Sequence, residues 1–132
     1  MKDGGDRAAH PRAGLSIGRA AEEAFDLPPE IATQATAIFG IRGSGKTVTA
    51  TVVVEELLER GLPVAIIDPT DVWWGLKSSA DGKSEGFPVV ILGGPHGDLP
   101  LDENNGWALA DFAVEEGVPM VLNNYLKRDR RC

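Results

Sequence analysis

The stretch that decides the fold is AIFGIRGSGKTVTATVVVEELLERG, residues 37–61. Within it the pattern G-x-x-x-x-G-K-[ST] is met by Gly40, Gly45, Lys46 and Thr47, with Gly43 and Ser44 extending the run of small residues. Each fixed position has a physical reason. Glycines let the backbone wrap so closely around a polyphosphate that its N–H groups point inward, and a following helix adds the positive end of its dipole. A lysine here reaches β- and γ-phosphates as a point charge, and a hydroxyl at the next position is a ligand for Mg²⁺. The pattern predicts a loop, Gly40, Ile41, Arg42, Gly43, Ser44, Gly45, Lys46, Thr47 and Val48, that binds ATP with magnesium, Thr47 being the metal-side residue. Arg42 has two readings, a contact to the γ-phosphate or a neighbouring subunit, or a solvent-facing loop residue.

The flanks have the matching form. Thr36–Phe39 is a short apolar run that predicts a strand entering the loop, and Thr47–Arg60 has helical length and closes at Gly61, a natural terminating residue. Val48, Val52, Leu57 and Leu58 are spaced to face a core, with Glu56 and Arg60 an i,i+4 pair outside. The many Thr and Val residues make this a helix that depends on tertiary packing.

Further along, PVAII (63–67), PVVIL (88–92) and VPMVL (118–122) are apolar throughout, as strands covered on both faces are. A helix is predicted from Asn104 or Asn105 as cap through Glu116, with apolar positions at Trp107, Ala110, Phe112, Ala113 and Val114. Upstream, Ile17–Ile31 has helical composition and is stopped by Pro28-Pro29. Strands alternating with helices predict an α/β protein of the P-loop NTPase fold, a mostly parallel sheet with helices on both faces and an incomplete core. The organisation expected is a flexible N-terminal segment over 1–26, a partial ATP-binding domain over 27–122 and a basic tail over 123–132.

Composition bounds the rest. The 132 residues suffice for one domain, and no apolar run approaches the ~18 residues of a membrane helix. Charges scattered through the first 34 residues exclude a secretory signal there, so a cytoplasmic location is expected. The lone cysteine, Cys132, excludes an internal disulfide. The net charge of −7 becomes −10 without the terminal KRDRRC, which carries four positive charges and one negative. A body so acidic is a poor surface for a nucleic-acid backbone.

Several residues carry two readings. Asp68, closing the VAIID strand, is either a magnesium-organising carboxylate or a strand-end residue that caps the next turn; Pro69 stands where a second acidic residue is often found. Trp73 and Trp74 either stack on an adenine or anchor the loop by packing. His96 in GGPHGD reads as a loop residue. The GTPase base-recognition segment Asn-Lys-x-Asp and an LSGGQ-like segment are both missing, and Arg128, Arg130 and Arg131 stand too near the end to form a kinase lid.

Three segments, AIFGIRGSGKTVTA, VAIIDPTDVWWGL and VVILGGPHGDLPL, together resemble the HerA-like branch of the HerA/FtsK ATPases over Leu27–Leu122. The resemblance implies a ring-forming, homo-hexameric ATPase that moves or processes DNA. It also implies a downstream strand ending in Asp-Glu, with further active-site residues supplied between subunits. The chain turns instead from VPMVL to NNYLKRDRRC, which predicts a truncated or frame-shifted product that binds ATP without hydrolysing it, with catalytic residues unassigned.

Overall fold

The computed structural model describes residues 14–79 and 81–125. The N-terminal 13 residues and most of the expected basic tail, including Arg128, Arg130, Arg131 and Cys132, lie outside the described residues. Two compact units meet in the chain at Leu57 and Leu58.

The first unit opens with an antiparallel hairpin, β1 (Leu15–Ala20) and β2 (Glu23–Leu27). Leu15 pairs with Leu27, and the register slips by one residue between Ser16 and Gly18, a bulge at Ile17. The turn is held by Arg19, whose Nη2 donates to the Glu22 carbonyl at 2.6 Å, with Ala21 in the left-handed region at φ 56°. This corrects the helix expected over Ile17–Ile31. The Ala-rich centre favours helix, but Leu15, Ile17, Phe25 and Leu27 fall on period-2 positions, and cross-strand pairing outweighs a weak local propensity. Residues 15–20 and 23–26 of the segment expected over 1–26 lie in these two strands. The Pro28-Pro29 pair starts a 3₁₀ turn, Pro29–Ala32, with a proline at its first position.

The strand expected over Thr36–Phe39 does not form: the run has no regular secondary structure and no ladder partner among the described residues, and Phe39 is 90% exposed. An apolar run becomes a strand only when a neighbour takes its N–H and C=O groups. Helix α1 (Lys46–Glu59) follows the loop within a residue of its expected bounds and terminates at Gly61, φ 70°. Glu56 ties it to the hairpin by accepting from the Ser16 N–H at 3.3 Å. None of its residues is fully buried, and Val48, expected on the core side, is 68% exposed; Val52, Leu57 and Leu58 are half-buried.

The second unit is built on three parallel strands, β3 (Ala65–Asp68), β4 (Val90–Leu92) and β5 (Met120–Asn123), in the order β3-β5-β4. In the middle strand Met120, Val121 and Leu122 each pair on both sides, with Ala65, Ile66 and Ile67 and with Val90, Ile91 and Leu92. Each strand begins one or two residues past a proline, Pro63, Pro88 or Pro119, because proline has no N–H for the ladder. Val121, Ile91, Met120, Leu92, Val89 and Leu76 form the buried core.

Helix α2 (Gly106–Glu115) connects β4 to β5. Its entry corrects the expected cap: Asn105 makes no side-chain cap bond, and Asp102 instead accepts from the Asn104 N–H at 2.8 Å, starting a 3₁₀ turn over Glu103–Asn105. The expected apolar face is only partly used. Ala113 and Leu109 are half-buried, whereas Trp107 is 86% exposed and Val114 and Phe112 are exposed too. The described residues are thus α/β, with a three-stranded parallel sheet and two α-helices, consistent with part of a P-loop-like fold.

Candidate functional site

Geometry in the 40–47 loop explains its glycines one by one. Gly43 and Gly45 hold φ of 81° and 85°, backbone that L side chains rarely adopt. Gly40 is required for a different reason: a Cβ there would stand 2.3 Å from Ser44 Oγ and 3.3 Å from Ser44 Cβ. The loop curls so that the Ser44 N–H donates to the Ile41 carbonyl at 3.2 Å, and Lys46 Nζ donates to the same carbonyl at 2.7 Å. Helix α1 starts at once, the Thr49 N–H reaching the Gly45 carbonyl at 2.9 Å. Ile41, Arg42, Thr47 and Val48 are all exposed on this segment. The Ile41 carbonyl thus holds both the Ser44 amide and the Lys46 ammonium at the amino end of α1.

A second cluster occupies the carboxyl ends of the parallel strands in the other unit. Asp68 is wholly buried, and all four of its acceptor positions are filled locally. Its Oδ1 accepts from the Thr70 N–H at 2.9 Å and the Thr70 hydroxyl at 2.8 Å, and its Oδ2 from the Val72 N–H at 2.8 Å and the Trp73 N–H at 2.9 Å. Burial opposes its ionisation, but the donors from Trp73, Thr70 and Val72 together hold the carboxyl below its usual range. Of its two readings, the geometry selects the cap: Asp68 organises the turn and the 3₁₀ helix over Trp73–Lys77.

Asp71 sits beyond it at φ 57°, a left-handed conformation for a residue with a side chain. Its Oδ1 accepts from Asn123 Nδ2 at 2.6 Å and its Oδ2 lies 3.9 Å from His96 Nε2. The His96 ring stacks on Trp74, with centroids 4.3 Å apart and planes inclined by 24°. One face of the Trp74 ring is thus taken by His96, and Trp74 is 43% exposed. The GGPHGD loop is shaped from below by Asp98, which accepts from the Ile91 N–H at 2.8 Å and from Lys77 Nζ. Lys77 is the main cause holding the Asp98 carboxyl below its usual range.

The sequence marks DPTDVWW and GGPHGD separately, and the fold brings them together. What sequence reasoning missed is Asn123. It closes β5 as Asp68 closes β3, and the two are register partners; a polar residue ending an apolar strand is the available signal.

The family model for the central domain of helicase HerA matches residues 16–90, more than half of the chain. The chain belongs to this HerA family. The match takes in the hairpin, the glycine loop, α1, β3 and the Asp68 turn, so it begins upstream of the Leu27 boundary that the resemblance sets, and it stops short of GGPHGD and β5. Nothing among the curated proteins or the solved structures matches the chain. Among the described residues no group of three or more His, Cys, Asp or Glu side chains converges as a ready metal site.

Proposed function

We propose that the chain binds ATP with magnesium on the loop from Gly40 to Thr47, as the nucleotide-binding part of a HerA-type ATPase. The observation that carries this is the loop itself: left-handed Gly43 and Gly45, a Gly40 packed against Ser44, and a 14-residue helix behind them. These residues fit a triphosphate. The Ile41 carbonyl that holds Lys46 is a neutral acceptor, and a phosphate oxygen, being charged, competes with it for the ammonium. Gly45 and Lys46 would offer backbone N–H groups, and the exposed Thr47 at the start of α1 would face the metal. Magnesium, when bound, neutralises charge on the phosphate oxygens. Ile41, Arg42 and Val48 complete the contact segment.

Membership in the HerA family supports the wider reading, a ring-forming homo-hexamer that works on DNA. No described helix is long and apolar enough to cross a membrane, and a cytoplasmic location belongs to the same proposal. A narrower reading, ATP binding without turnover, is favoured by Asp68. With four local donors on its two oxygens, the carboxylate at the end of β3 has no acceptor position left for a metal-bound water.

Calorimetric titration of Mg-ATP into the wild-type chain and Lys46→Ala tests the assignment. The variant keeps the fold, since its ammonium makes one exposed contact, and its affinity falls at least tenfold. Equal affinities overturn the phosphate-loop reading.

A further inference from the structure

Asn105 and Gly106 form the junction at which helix α2 starts, and they are the one Asn-Gly pair in the sequence. In such a pair the side-chain amide is open to attack by the next backbone nitrogen, since glycine has no Cβ to crowd the approach. The fold leaves that approach clear. A Cβ built on Gly106 meets nothing within 4 Å, and every residue from Asn104 to Ala108 is exposed. The Asn105 side chain makes no cap bond, so no such contact holds its Cγ in place. Gly106 is the first residue of α2, where backbone N–H groups lie outside the i→i−4 ladder. The helix is anchored lightly, by the half-buried Leu109 and Ala113, and a helix of 10 residues with so little packing frays at its ends.

We propose that the Asn105–Gly106 junction is a self-modification site, at which Asn105 converts to aspartate and isoaspartate without an enzyme. When the end of α2 frays, the Asn105 backbone turns from its resting φ −98° and ψ 11° and the Gly106 nitrogen attacks Asn105 Cγ. A bond forms between that nitrogen and Cγ, the bond from Cγ to Nδ2 breaks, and Nδ2 leaves as ammonia with the proton that Gly106 gives up. The product is a cyclic succinimide. Water then opens the ring: attack at Cγ gives aspartate, and attack at the Asn105 main-chain carbonyl carbon gives isoaspartate. One water is consumed, one ammonia is released, and nothing is oxidised or reduced. The other described asparagines are held or crowded. Asn104 gives its N–H and its Nδ2 to Asp102 at 2.8 and 2.9 Å, Asn123 is buried and bonded at both ends of its amide, and Asn124 precedes the bulky Tyr125. Either product adds a carboxylate to a stretch, Ser84 to Tyr125, that has no Lys or Arg. Aspartate suits a helix amino terminus, whereas isoaspartate puts an extra carbon into the main chain where α2 must start.

The test holds the full chain in mildly alkaline buffer at body temperature and follows it by peptide mapping with mass spectrometry and by isoaspartyl methyltransferase labelling. Fragment ions place the gain in mass of an amide turned to an acid on Asn105, with isoaspartate label on the same peptide, while Asn104, Asn123 and Asn124 stay unchanged. Gly106→Ala fits the local φ of −56° and the open space around it, so the variant folds, and its added Cβ slows the conversion roughly tenfold or more. Asn105→Gln, whose longer side chain does not close the same ring, gives no label at that position. A synthetic peptide of residues 102–110 sets the rate without the fold. The folded chain should convert within about tenfold of that peptide, because opening a frayed helix end costs little. Protection of the folded chain well beyond that factor overturns the proposal, as does a rate indifferent to Gly106→Ala or a label that persists in Asn105→Gln.

Discussion

Asp68 and Asn123 are the last register partners of β3 and β5, and both are buried, yet their side chains serve different loops. Asp68 gathers the Thr70, Val72 and Trp73 donors of its own turn, while Asn123 reaches across to Asp71. One pair of polar strand ends thereby fixes the path of the whole segment from Pro69 to Trp74. Asp68→Asn removes the charge from that arrangement and turns one acceptor into a donor facing N–H groups. It should destabilise the second unit by roughly 2–3 kcal/mol, the range for charged hydrogen bonds lost on burial. Urea unfolding measures this. Mg-ATP affinity of the folded variant should match wild type, and a large loss there would return Asp68 to the metal site.

The same carboxylate predicts an acid limb. Its folded-state pKa is depressed, so its contribution is fully present above the unfolded value of about 3.9 and fades as pH falls through the lower folded value. Wild type should therefore lose stability below about pH 4 more steeply than Asp68→Asn, which has no such group to protonate. Parallel acid titrations followed by circular dichroism would refute this if they gave superimposable curves.

Gly40 offers a test of the phosphate loop that does not touch charge. An alanine there meets Ser44 Oγ at 2.3 Å, so the hydroxyl must turn away, and Ser44 Cβ at 3.3 Å, so Ser44 must give by a few tenths of an ångström. Gly40→Ala should weaken Mg-ATP binding severalfold. Adding Ser44→Ala removes the closest atom but leaves Ser44 Cβ at 3.3 Å, so the double variant should recover only part of the loss. Full affinity in Gly40→Ala alone would show that the loop does not bind in this conformation.

Much of the second unit was legible because its signals are local. Runs such as VAIID and VPMVL are apolar along their length, and prolines mark where each ladder starts. The glycine loop was legible for the same reason, each glycine answering a steric demand within five residues. What escaped reading depends on partners distant in sequence. The hairpin from Leu15 to Leu27 needs Leu15 to meet a residue twelve positions on, against an Ala-rich centre that favours helix. Thr36–Phe39 has strand composition but no ladder partner among the described residues, and Trp107 and Val114 have helical spacing without burial. Asn123 gains its role from a partner fifty-two residues away, a separation no spacing rule covers.

The last prediction concerns how tightly the GGPHGD loop is fitted around that asparagine. Gly94 and Gly61 have nearly the same backbone, φ 68° and 70°, so an alanine at either suffers the same left-handed strain, roughly 1–2 kcal/mol. Their surroundings differ. A Cβ at Gly61 meets nothing within 4 Å, whereas one at Gly94 stands 2.4 Å from both Cγ and Nδ2 of Asn123. Asn123 cannot step aside cheaply, because its amide donates to Asp71 and its carbonyl accepts from the Tyr125 N–H. Gly94→Ala should therefore cost more than Gly61→Ala by about 1–3 kcal/mol, the usual range for overpacking a filled site. Urea denaturation of the two single variants gives the comparison, and the Asn123→Ala background isolates its cause. With the asparagine amide gone, the extra cost of Gly94→Ala should shrink towards the Gly61→Ala value, a coupling that a double-mutant cycle reads directly. Equal costs for the two glycine substitutions in the wild-type background would show that the loop does not pack on Asn123 as described.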